Sequence, residues 1–197
     1  MKDNKYLILV NSTHPLEDDN IFAKVDVDTK YAPNRTLEIK TYEAFKKLRE
    51  YAKENGFITD LESGYRSKEL QQEVWDDSLK DNGLEHTKKY VAVPGYSEHQ
   101  TGLAADFTLF ENNRWYVDTQ IENVNFINFL HDNCYKFGFI LRYPKGKESI
   151  TGYNYEPWHL RYIDDVNIAK YIMDNNLCLE EYLSEINYGD NCGNKNC

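Results

Sequence analysis

The sequence predicts an α+β domain: an antiparallel β-sheet with helices packed on it. Patterns typical of helices and of strands follow one another in mixed order, unlike the regular alternation of α/β proteins. The chain has 197 residues, of which 41% are hydrophobic, enough for one sizeable core. Because no repeat or linker divides it, we predict a single domain over residues 1–190. Residues 191–197, mostly Asn, Gly and Cys, are predicted to be a disordered tail.

The N-terminal region is predicted to hold one short strand, an irregular stretch and one helix. Residues 6–10 are β-branched, aromatic or aliphatic, which is typical of a strand. Residues 21–38 show little periodicity, and we expect irregular structure there with a short strand near residues 23–27. From residue 41 to residue 55 apolar side chains recur at helical spacing, and Gly56 is a favourable residue for ending that helix.

A second helix is predicted after an extended segment over residues 57–66. Ser67 is a favourable N-cap residue, and the helix is expected to end near Asn82, before Gly83. His86 has no partner motif and is predicted to lie on the surface. The inward-facing side chains of this helix are predicted to be Leu70, Val74, Trp75 and Leu79.

The second half of the chain is predicted to contribute most of the sheet. Residues 103–110 alternate as in a strand, which turns Asp106 away from Phe107 and toward a cleft. A capping box over residues 119–122 is expected to open a helix that ends near residue 137. His131 is predicted to be exposed on that helix and Cys134 to be a buried free thiol. The remaining elements are predicted to be a turn over residues 111–114, strands over 139–143 and 155–162, a basic hairpin loop over 145–149, and helices over 164–173 and 179–186.

Charge and hydropathy exclude several classes of function. The formal net charge of −10 argues against a nucleic-acid partner, whose phosphates would be repelled, and against tight adhesion to an anionic surface. No apolar run is long enough to span a membrane, and the first residues do not resemble a signal peptide. We therefore expect a bacterial cytoplasmic protein, or a membrane-anchored extracytoplasmic one if an export segment precedes this sequence. A Cys192–Cys197 disulfide is possible only in an oxidising compartment.

Two separated motifs together offer a complete ligand set for a catalytic zinc ion. The first, SEHQTGLAAD, contains His99 and Asp106, and the second, EPWH, contains Glu156 and His159. Two imidazoles and one carboxylate suffice for such a site, with the fourth position left to water. We predict His99, Asp106 and His159 as the ligands. Glu156, three residues before His159, is predicted to be the base that takes a proton from the water.

Each motif is weak when it is considered alone. His-x6-Asp and Glu-x-x-His are both weak signals, and by residue type alone a hydrogen-bonded polar loop with a histidine at a strand end is the favoured interpretation. Trp158 supplies bulk for packing against the ligands or for the floor of a pocket. Ser97 lies close enough to His99 to contact a substrate, or else serves only to form a turn.

The full segments resemble the D-alanyl-D-alanine metallopeptidases of the VanY, VanX and VanXY group. That group shares its zinc site with lysostaphin-type endopeptidases and the hedgehog signalling domain, so the resemblance implies a hedgehog/D-Ala-D-Ala-peptidase-like fold. It extends over roughly residues 6–186. The matching blocks are SGYRS at 63–67 with Gln71, WDDSLKDNG at 75–83, VAVPGYSEH at 91–99, FGFILRYP at 137–144, ITG at 150–152 and EPWHLRY at 156–162.

The resemblance implies a zinc-dependent D,D-carboxypeptidase that removes the terminal D-Ala from peptidoglycan precursors ending in D-Ala-D-Ala, thereby destroying the target of vancomycin. It assigns Arg66 to stabilisation of the oxyanion, where the alternative is a surface salt bridge. Gln71 is expected to bind the substrate carboxylate or to orient Arg66. Members that cleave the free dipeptide tend to carry Asp where this chain has Ser63, so we expect carboxypeptidase activity to exceed dipeptidase activity.

Three other functions remain open from the sequence. One is a bifunctional D,D-dipeptidase and D,D-carboxypeptidase of the VanXY type. Another is an endolysin-like L-alanyl-D-glutamate peptidase, although no wall-binding module is visible. The third is a non-catalytic zinc-binding signalling domain, which the presence of the base Glu156 argues against.

Overall fold

The computed structural model describes residues 4–18 and 20–193, and within them eight strands and seven α-helices. The strands are β1 (Lys24–Val27), β2 (Arg35–Glu38), β3 (Leu61–Ser63), β4 (Ala104–Phe107), β5 (Leu109–Glu111), β6 (Arg114–Tyr116), β7 (Phe139–Leu141) and β8 (His159–Tyr162). The helices are α1 (Ile39–Glu54), α2 (Lys68–Asn82), α3 (Leu84–Tyr90), α4 (Val124–Asn133), α5 (Glu148–Thr151), α6 (Val166–Asp174) and α7 (Leu179–Gly193). Short 3₁₀ turns cover Lys5–Leu7, Glu98–Thr101, Asp118–Gln120 and Cys134–Phe137.

Four strands form the central sheet in the spatial order β3–β4–β8–β7, and each neighbouring pair is antiparallel. Asp106 of β4 lies opposite His159 of β8 on one side and opposite Ser63 of β3 on the other. Two further antiparallel hairpins, β1–β2 and β5–β6, accompany this sheet. The predicted α+β class with an antiparallel sheet is therefore confirmed.

The two faces of the central sheet differ in chemistry because side chains alternate along each strand. Ala105 and Phe107 of β4 and Leu160 of β8 belong to the main hydrophobic core. The intervening Asp106 and His159 lie on the opposite face, as the alternation in the sequence predicts. The main core is completed by helices α1 and α4 through Ala44, Phe45, Leu48, Phe126, Ile127 and Leu130.

A second, smaller core lies beside β7 and holds the C-terminal helices in place. Phe139 and Leu141 of β7 point into the main core, whereas Ile140 belongs to the second cluster. The buried members of that cluster are Ile140, Ile163, Ala169, Ile172, Leu179 and Tyr182.

The helices with clear apolar periodicity are confirmed to within a few residues. The predicted helices over 41–55 and 164–173 correspond to α1 and α6, and the helix capped by Ser67 is α2. Ser67 Oγ accepts from the backbone N–H of Leu70 at 3.2 Å, as expected of an N-cap. Cys134 is a buried free cysteine, also as predicted.

The predicted strand over residues 6–10 is wrong. The segment begins with a 3₁₀ turn over Lys5–Leu7, in which the Asn4 side chain accepts from the backbone N–H of Tyr6. The carbonyl oxygens of Tyr6 and Ile8 then accept from Arg161 Nη2 at 3.0 and 2.8 Å. The buried guanidinium of Arg161, and not a neighbouring strand, therefore supplies the hydrogen bonds to these two carbonyls.

The region of residues 21–38 is more regular than predicted. The short strand expected near residues 23–27 is present as β1, but β2 was not predicted. The two strands pair from Lys24 opposite Glu38 to Val27 opposite Arg35. Asn34 adopts a φ of 59° just before β2, a left-handed conformation that asparagine tolerates better than most residues.

The predicted start of the long central helix is also wrong. Helix α4 begins at Val124, and its N-cap is Asn123, whose side chain accepts from the backbone N–H of Phe126 at 3.1 Å. The proposed capping box at residues 119–122 instead overlaps a separate 3₁₀ turn over Asp118–Gln120. Asp118 enters that turn with a φ of 47°, which interrupts the helical path.

Helix α2 does not bury the face that its periodicity indicates. Leu70 and Leu79 are 44% and 39% exposed, so their predicted inward orientation is wrong. The buried residue of α2 is Gln71. The reason is that α2 packs on the neighbouring α3 and borders a cleft, so it does not lie flat on the sheet.

Three smaller predictions also need correction or fall partly outside the described residues. The loop over residues 145–149 contains the start of helix α5. His131 is half-buried, with Nε2 3.0 Å from the carbonyl oxygen of Pro157. Helix α7 reaches Gly193, and the rest of the predicted tail, with Cys197, lies outside the described residues. Within residues 4–18 and 20–193, no helix is both long and apolar enough to cross a bilayer.

We expect Gly138→Ala to destabilise the fold more than Gly146→Ala. Both glycines have positive φ, 78° and 85°, so both substitutions incur roughly 1–2 kcal/mol of backbone strain. A Cβ at Gly138 would additionally lie 3.0 Å from the Tyr162 ring, whereas nothing lies within 4 Å at Gly146. Overpacking should add about 1–3 kcal/mol, measurable by urea unfolding. Equal losses in the two variants would contradict this packing.

Candidate metal centre

Three side chains from two distant segments meet on the polar face of the central sheet. One potential ligand atom from each of His99, Asp106 and His159 lies within 4.8 Å of the other two. Asp106 and His159 are cross-strand partners on β4 and β8, and His99 belongs to the 3₁₀ turn that precedes β4. All three are buried. The structure therefore brings together the three residues predicted as metal ligands.

Each imidazole has one nitrogen engaged by the protein and the other directed at Asp106. His99 Nδ1 lies 2.6 Å from the carbonyl oxygen of Gly64, and because a carbonyl can only accept, Nδ1 is the donor. His99 Nε2 is 3.2 Å from Asp106 Oδ2. For His159 the nitrogens are reversed, with Nδ1 2.9 Å from Asp106 Oδ1 and Nε2 3.5 Å from Glu98 Oε2.

This donor set fits a divalent metal ion. Asp106 Oδ1 is buried and has no protein hydrogen-bond partner of acceptable geometry, in spite of its closeness to His159. Burial raises the pKa of Asp106, but His99 and His159 outweigh it and hold that pKa well below the usual range. An ionised carboxylate with a free oxygen beside two imidazole nitrogens is one of the ligand sets that bind zinc.

Glu156 occupies the turn that leads into β8, next to this cluster. Its Oε2 lies 3.8 Å from His159 Nδ1, and the backbone N–H of His159 donates to the Glu156 carbonyl at 3.1 Å. Burial raises the pKa of Glu156 to about 8. A carboxyl group with such a pKa can both accept and return a proton near neutral pH.

A cleft of about 660 Å³ opens onto the cluster. The residues predicted to touch the substrate or to form its pocket, Ser63, Arg66, Gln71, Ser97 and Trp158, all line it. Trp158 is only 7% exposed and also belongs to the main core. It therefore forms part of the cleft wall from the apolar side.

Arg66 lies in the cleft wall directly beside the metal cluster. Its backbone N–H donates to the carbonyl of His99 at 3.1 Å, while its Nε is buried without a protein partner. Burial lowers the pKa of Arg66, although Asp106 and Glu156 oppose that shift. Arg66 is half-buried with its Nε enclosed, so the predicted alternative of a surface salt bridge does not describe it.

Gln71 and Ser97 are held by the protein in different ways. Gln71 is 1% exposed, and its Nε2 donates to the carbonyl of Ala92 at 2.8 Å while its Oε1 has no partner. The Ala92 carbonyl fixes the orientation of the amide, because Oε1 in that place would be repelled. Ser97 Oγ accepts from the backbone N–H of His99 at 3.3 Å, so it forms a turn and also faces the cleft.

Sequence reasoning missed two groups of charged residues at this site. Glu62 and Asp118 form an acidic pair in the cleft wall, where burial, and then Asp118, raise the pKa of Glu62 to about 9. Glu98 lies behind His159 and is bound by two buried arginines, Arg142 and Arg161. In the sequence, the one signal for this network was the acidic residue Glu98 directly beside His99 within the first motif.

A sequence model of the D-alanyl-D-alanine carboxypeptidase family VanY matches residues 34–165. The chain belongs to the VanY family. A D-alanyl-D-alanine carboxypeptidase of Enterococcus faecalis is 35% identical over 189 residues, which cover 90% of this chain and 65% of the relative. The chain spans 55% to 65% of the length of the curated VanY-like relatives that it matches.

Three solved structures resemble this VanY-family chain throughout most of its length. An LD-carboxypeptidase, LdcB, superposes with a TM-score of 0.79 at 37% identity, covering 92% of this chain and 86% of that one. The D,D-dipeptidase VanXYg, in complex with a D-Ala-D-Ala phosphinate analogue, gives 0.82 at 36% identity, covering 92% and 71%. A VanY D,D-pentapeptidase variant in complex with Zn(II) gives 0.73 at 35% identity, covering 90% and 98%.

We expect Glu156→Gln to stabilise the metal-free protein at neutral and alkaline pH. The folded protein raises the pKa of Glu156 from 4.5 to about 8. Between those pH values the unfolded chain ionises while the folded protein keeps its proton, and this lowers the free energy of unfolding. The amide removes this penalty, which is on the order of a few kcal/mol at pH 8. Thermal unfolding in chelator should show a gain in Tm that grows from pH 5 to pH 8.

The control for that comparison is Glu54→Gln, at an exposed position on α1. This variant should show no pH-dependent gain. A Tm of Glu156→Gln that equals the wild-type value from pH 5 to pH 8 would contradict the burial of an ionisable Glu156.

Proposed function

We propose that this chain is a zinc-dependent D,D-carboxypeptidase that removes the terminal D-Ala from peptidoglycan precursors ending in D-Ala-D-Ala. The observation that carries the proposal is the convergence of His99, Asp106 and His159 beside Glu156, at a cleft lined by Arg66. Membership of the VanY family supports the substrate class. We further propose that loss of the terminal D-Ala contributes to vancomycin resistance, because it removes the antibiotic's target.

The proposed zinc ligands are His99 through Nε2, His159 through Nδ1 and one or both oxygens of Asp106. These are the atoms that face one another in the cluster, and the related VanY structure in complex with Zn(II) supports the choice of metal. When bound, the ion supplies a Lewis acid that polarises water and the substrate carbonyl.

We assign the proton transfers of the reaction to Glu156. The carboxylate accepts a proton from the attacking water and donates it to the departing amine nitrogen of D-Ala. Its raised pKa suits both steps, because the protonated form is accessible near neutral pH. Burial of Glu156 and its backbone bonds to Tyr143 and His159 hold the carboxyl group in place.

Arg66, Gln71 and Ser97 are the proposed substrate contacts. The unpartnered Nε of Arg66 can donate to the oxyanion that develops on the scissile carbonyl, or to the terminal carboxylate. The unpartnered Oε1 of Gln71 can accept an N–H of the peptide. Ser97 keeps its hydroxyl hydrogen for the substrate, because its oxygen already accepts from His99.

Ser63 is the residue that favours a carboxypeptidase over the bifunctional alternative. It lines the cleft and lies opposite Asp106 across β3 and β4. A neutral hydroxyl provides no counter-charge for the free ammonium of a dipeptide, a difference of roughly 1–2 kcal/mol for a charge-assisted hydrogen bond. An L,D-carboxypeptidase activity, by analogy with LdcB, is a second candidate that the choice of substrate in the assay distinguishes.

The wild-type protein should release D-Ala from a UDP-linked pentapeptide precursor, lose activity in chelator and regain it with zinc.

Glu156→Gln should still bind one zinc ion but turn over about 10²–10⁴-fold more slowly, because the base is missing. Released D-Ala and bound zinc are the two measurements, with the exposed variant Glu54→Gln as control. Turnover of Glu156→Gln within tenfold of wild type would refute the assignment of the base. If the protein cleaves only a tetrapeptide with an L,D bond, the proposed D,D specificity is wrong and an L,D specificity takes its place.

The ratio of rates on the pentapeptide and on free D-Ala-D-Ala should exceed one in the wild type. Ser63→Asp should raise kcat/KM for the dipeptide by roughly tenfold relative to the pentapeptide, because the new carboxylate pairs with the ammonium. Ser63→Asn is the matched control, similar in size and uncharged, and should leave the ratio unchanged. A wild-type preference for the dipeptide would instead favour the bifunctional enzyme.

A further inference from the structure

Glu98 is a buried carboxylate that touches the metal cluster without belonging to the proposed ligand set. It is 2% exposed, and its Oε1 accepts from Arg142 Nε at 2.7 Å and from Arg161 Nη1 at 2.6 Å. Its Oε2 lies 3.5 Å from His159 Nε2. One carboxylate therefore joins two arginines on one oxygen to a proposed zinc ligand on the other.

We propose that Glu98 is a positioning residue that fixes the tautomer and the orientation of His159. This inference rests on the proposed ligand set. An ionised carboxylate can only accept, and His159 faces one at each nitrogen, Glu98 at Nε2 and Asp106 at Nδ1. Asp106 is itself a proposed ligand, so with a metal ion bound the Nδ1 lone pair would serve the metal and Glu98 would hold the remaining proton on Nε2. Carboxylates that hold the second nitrogen of a metal-bound histidine are a common device for orienting the ring and raising its basicity.

The two arginines explain how a carboxylate stays charged in this position. A buried charge without a partner is strongly unfavourable, whereas a paired one with satisfied hydrogen bonds is tolerated. Arg142 and Arg161 are both fully buried, and both donate to the same oxygen of Glu98. Because their charges fall on Oε1, Oε2 remains directed at the imidazole.

Segments outside the region matched by the VanY model hold the arginines in turn. Arg142 Nη1 and Nη2 donate to Glu180 of α7 at 2.8 and 2.7 Å. Arg161 Nη2 donates to the backbone carbonyls of Tyr6 and Ile8. Two carboxylates thus balance two guanidiniums, and both ends of the described chain contribute to the support of His159.

The two histidines of the site are therefore expected to bind metal through opposite nitrogens. His99 donates from Nδ1 to the neutral carbonyl of Gly64, which leaves Nε2 for the metal. His159 is held through Nε2 by the charged Glu98, which leaves Nδ1. Long-range ¹H–¹⁵N correlation spectra of the zinc-loaded, ¹⁵N-labelled wild type distinguish these states directly. Protonated Nε2 on His159 and protonated Nδ1 on His99 are expected, and a protonated Nδ1 on His159 would overturn the inference.

Glu98→Gln tests the role of the charge with zinc alone as the probe. The amide keeps the shape of the side chain, but it no longer provides a carboxylate for the imidazole or balances the arginines. The zinc Kd, measured by competition with a chelating dye, should rise about 10- to 100-fold. A Kd within twofold of wild type in folded Glu98→Gln would overturn the inference.

Asp60→Asn is the matched control for general destabilisation. Asp60 is also a buried carboxylate, 1% exposed, and it is paired with Arg49 at 3.0 Å. This variant should lower Tm without changing the zinc Kd. An equal rise of Kd in both variants would show that Glu98 acts only through stability, and so would overturn the inference. If Glu98→Gln does not fold, the spectra of the wild type decide the question.

Hydrolysis is measured separately, so that the two proposals can fail independently. A wild type that binds zinc with the expected tautomers but does not cleave D-Ala-D-Ala peptides would refute the proposed function and leave the role of Glu98 intact. An active enzyme in which His159 binds zinc through Nε2 would overturn the role of Glu98 and leave the proposed function intact. A wild type that binds no zinc would overturn both the ligand assignment and this inference.

Discussion

The antiparallel pairing of β4 with β8 is the constraint on which the site depends. It places Asp106 directly opposite His159, although the two residues are far apart in sequence. The same register puts Ala105 opposite Leu160, and both residues lie in the main core. A slip of one residue would exchange the faces of a strand, and would expose that core at the same time as it separated the two side chains. Burial of the apolar face therefore fixes the geometry of the polar face.

The buried side chains of the polar face are held in place by ion pairs between charged groups. Glu98, Arg142 and Arg161 are among the most buried side chains of the described residues, where an unpaired charge would be strongly unfavourable. Their mutual bonds, together with Glu180 on α7 and three backbone carbonyls that accept from Arg161, satisfy most of the donors of the two guanidiniums. Such a network is sensitive to the loss of any one member, because the remaining charges would stay buried without a partner. This property favours a single arrangement of the groups behind His159.

Local sequence patterns predicted the parts of the fold that local physics decides. Helix α1 follows from its apolar periodicity and α2 from the Ser67 cap, and the three residues that meet in the cluster were singled out by their types and spacing. The predicted strand at residues 6–10 failed because its carbonyls bind Arg161, which lies 155 residues from Tyr6, and no local pattern reports such a partner. The Glu98 network escaped prediction for the same reason, since its members are scattered along the chain. The predicted inward orientation of the apolar face of α2 was wrong because periodicity identifies such a face, but does not show whether another element covers it.

The cleft is also the place where the protein leaves polar atoms unsatisfied. Among the described residues, the buried side-chain atoms without a protein hydrogen-bond partner are Glu62 Oε2, Arg66 Nε, Gln71 Oε1 and Asp106 Oδ1, and all four residues line the cleft. Native proteins satisfy nearly all buried polar groups, because each unpaired one costs about 1–3 kcal/mol. Four exceptions gathered in one cavity therefore support the proposal that a metal ion and a polar substrate bind there. Sites that break the rules of stability together are the expected location of function, and here the two imidazoles lie among them.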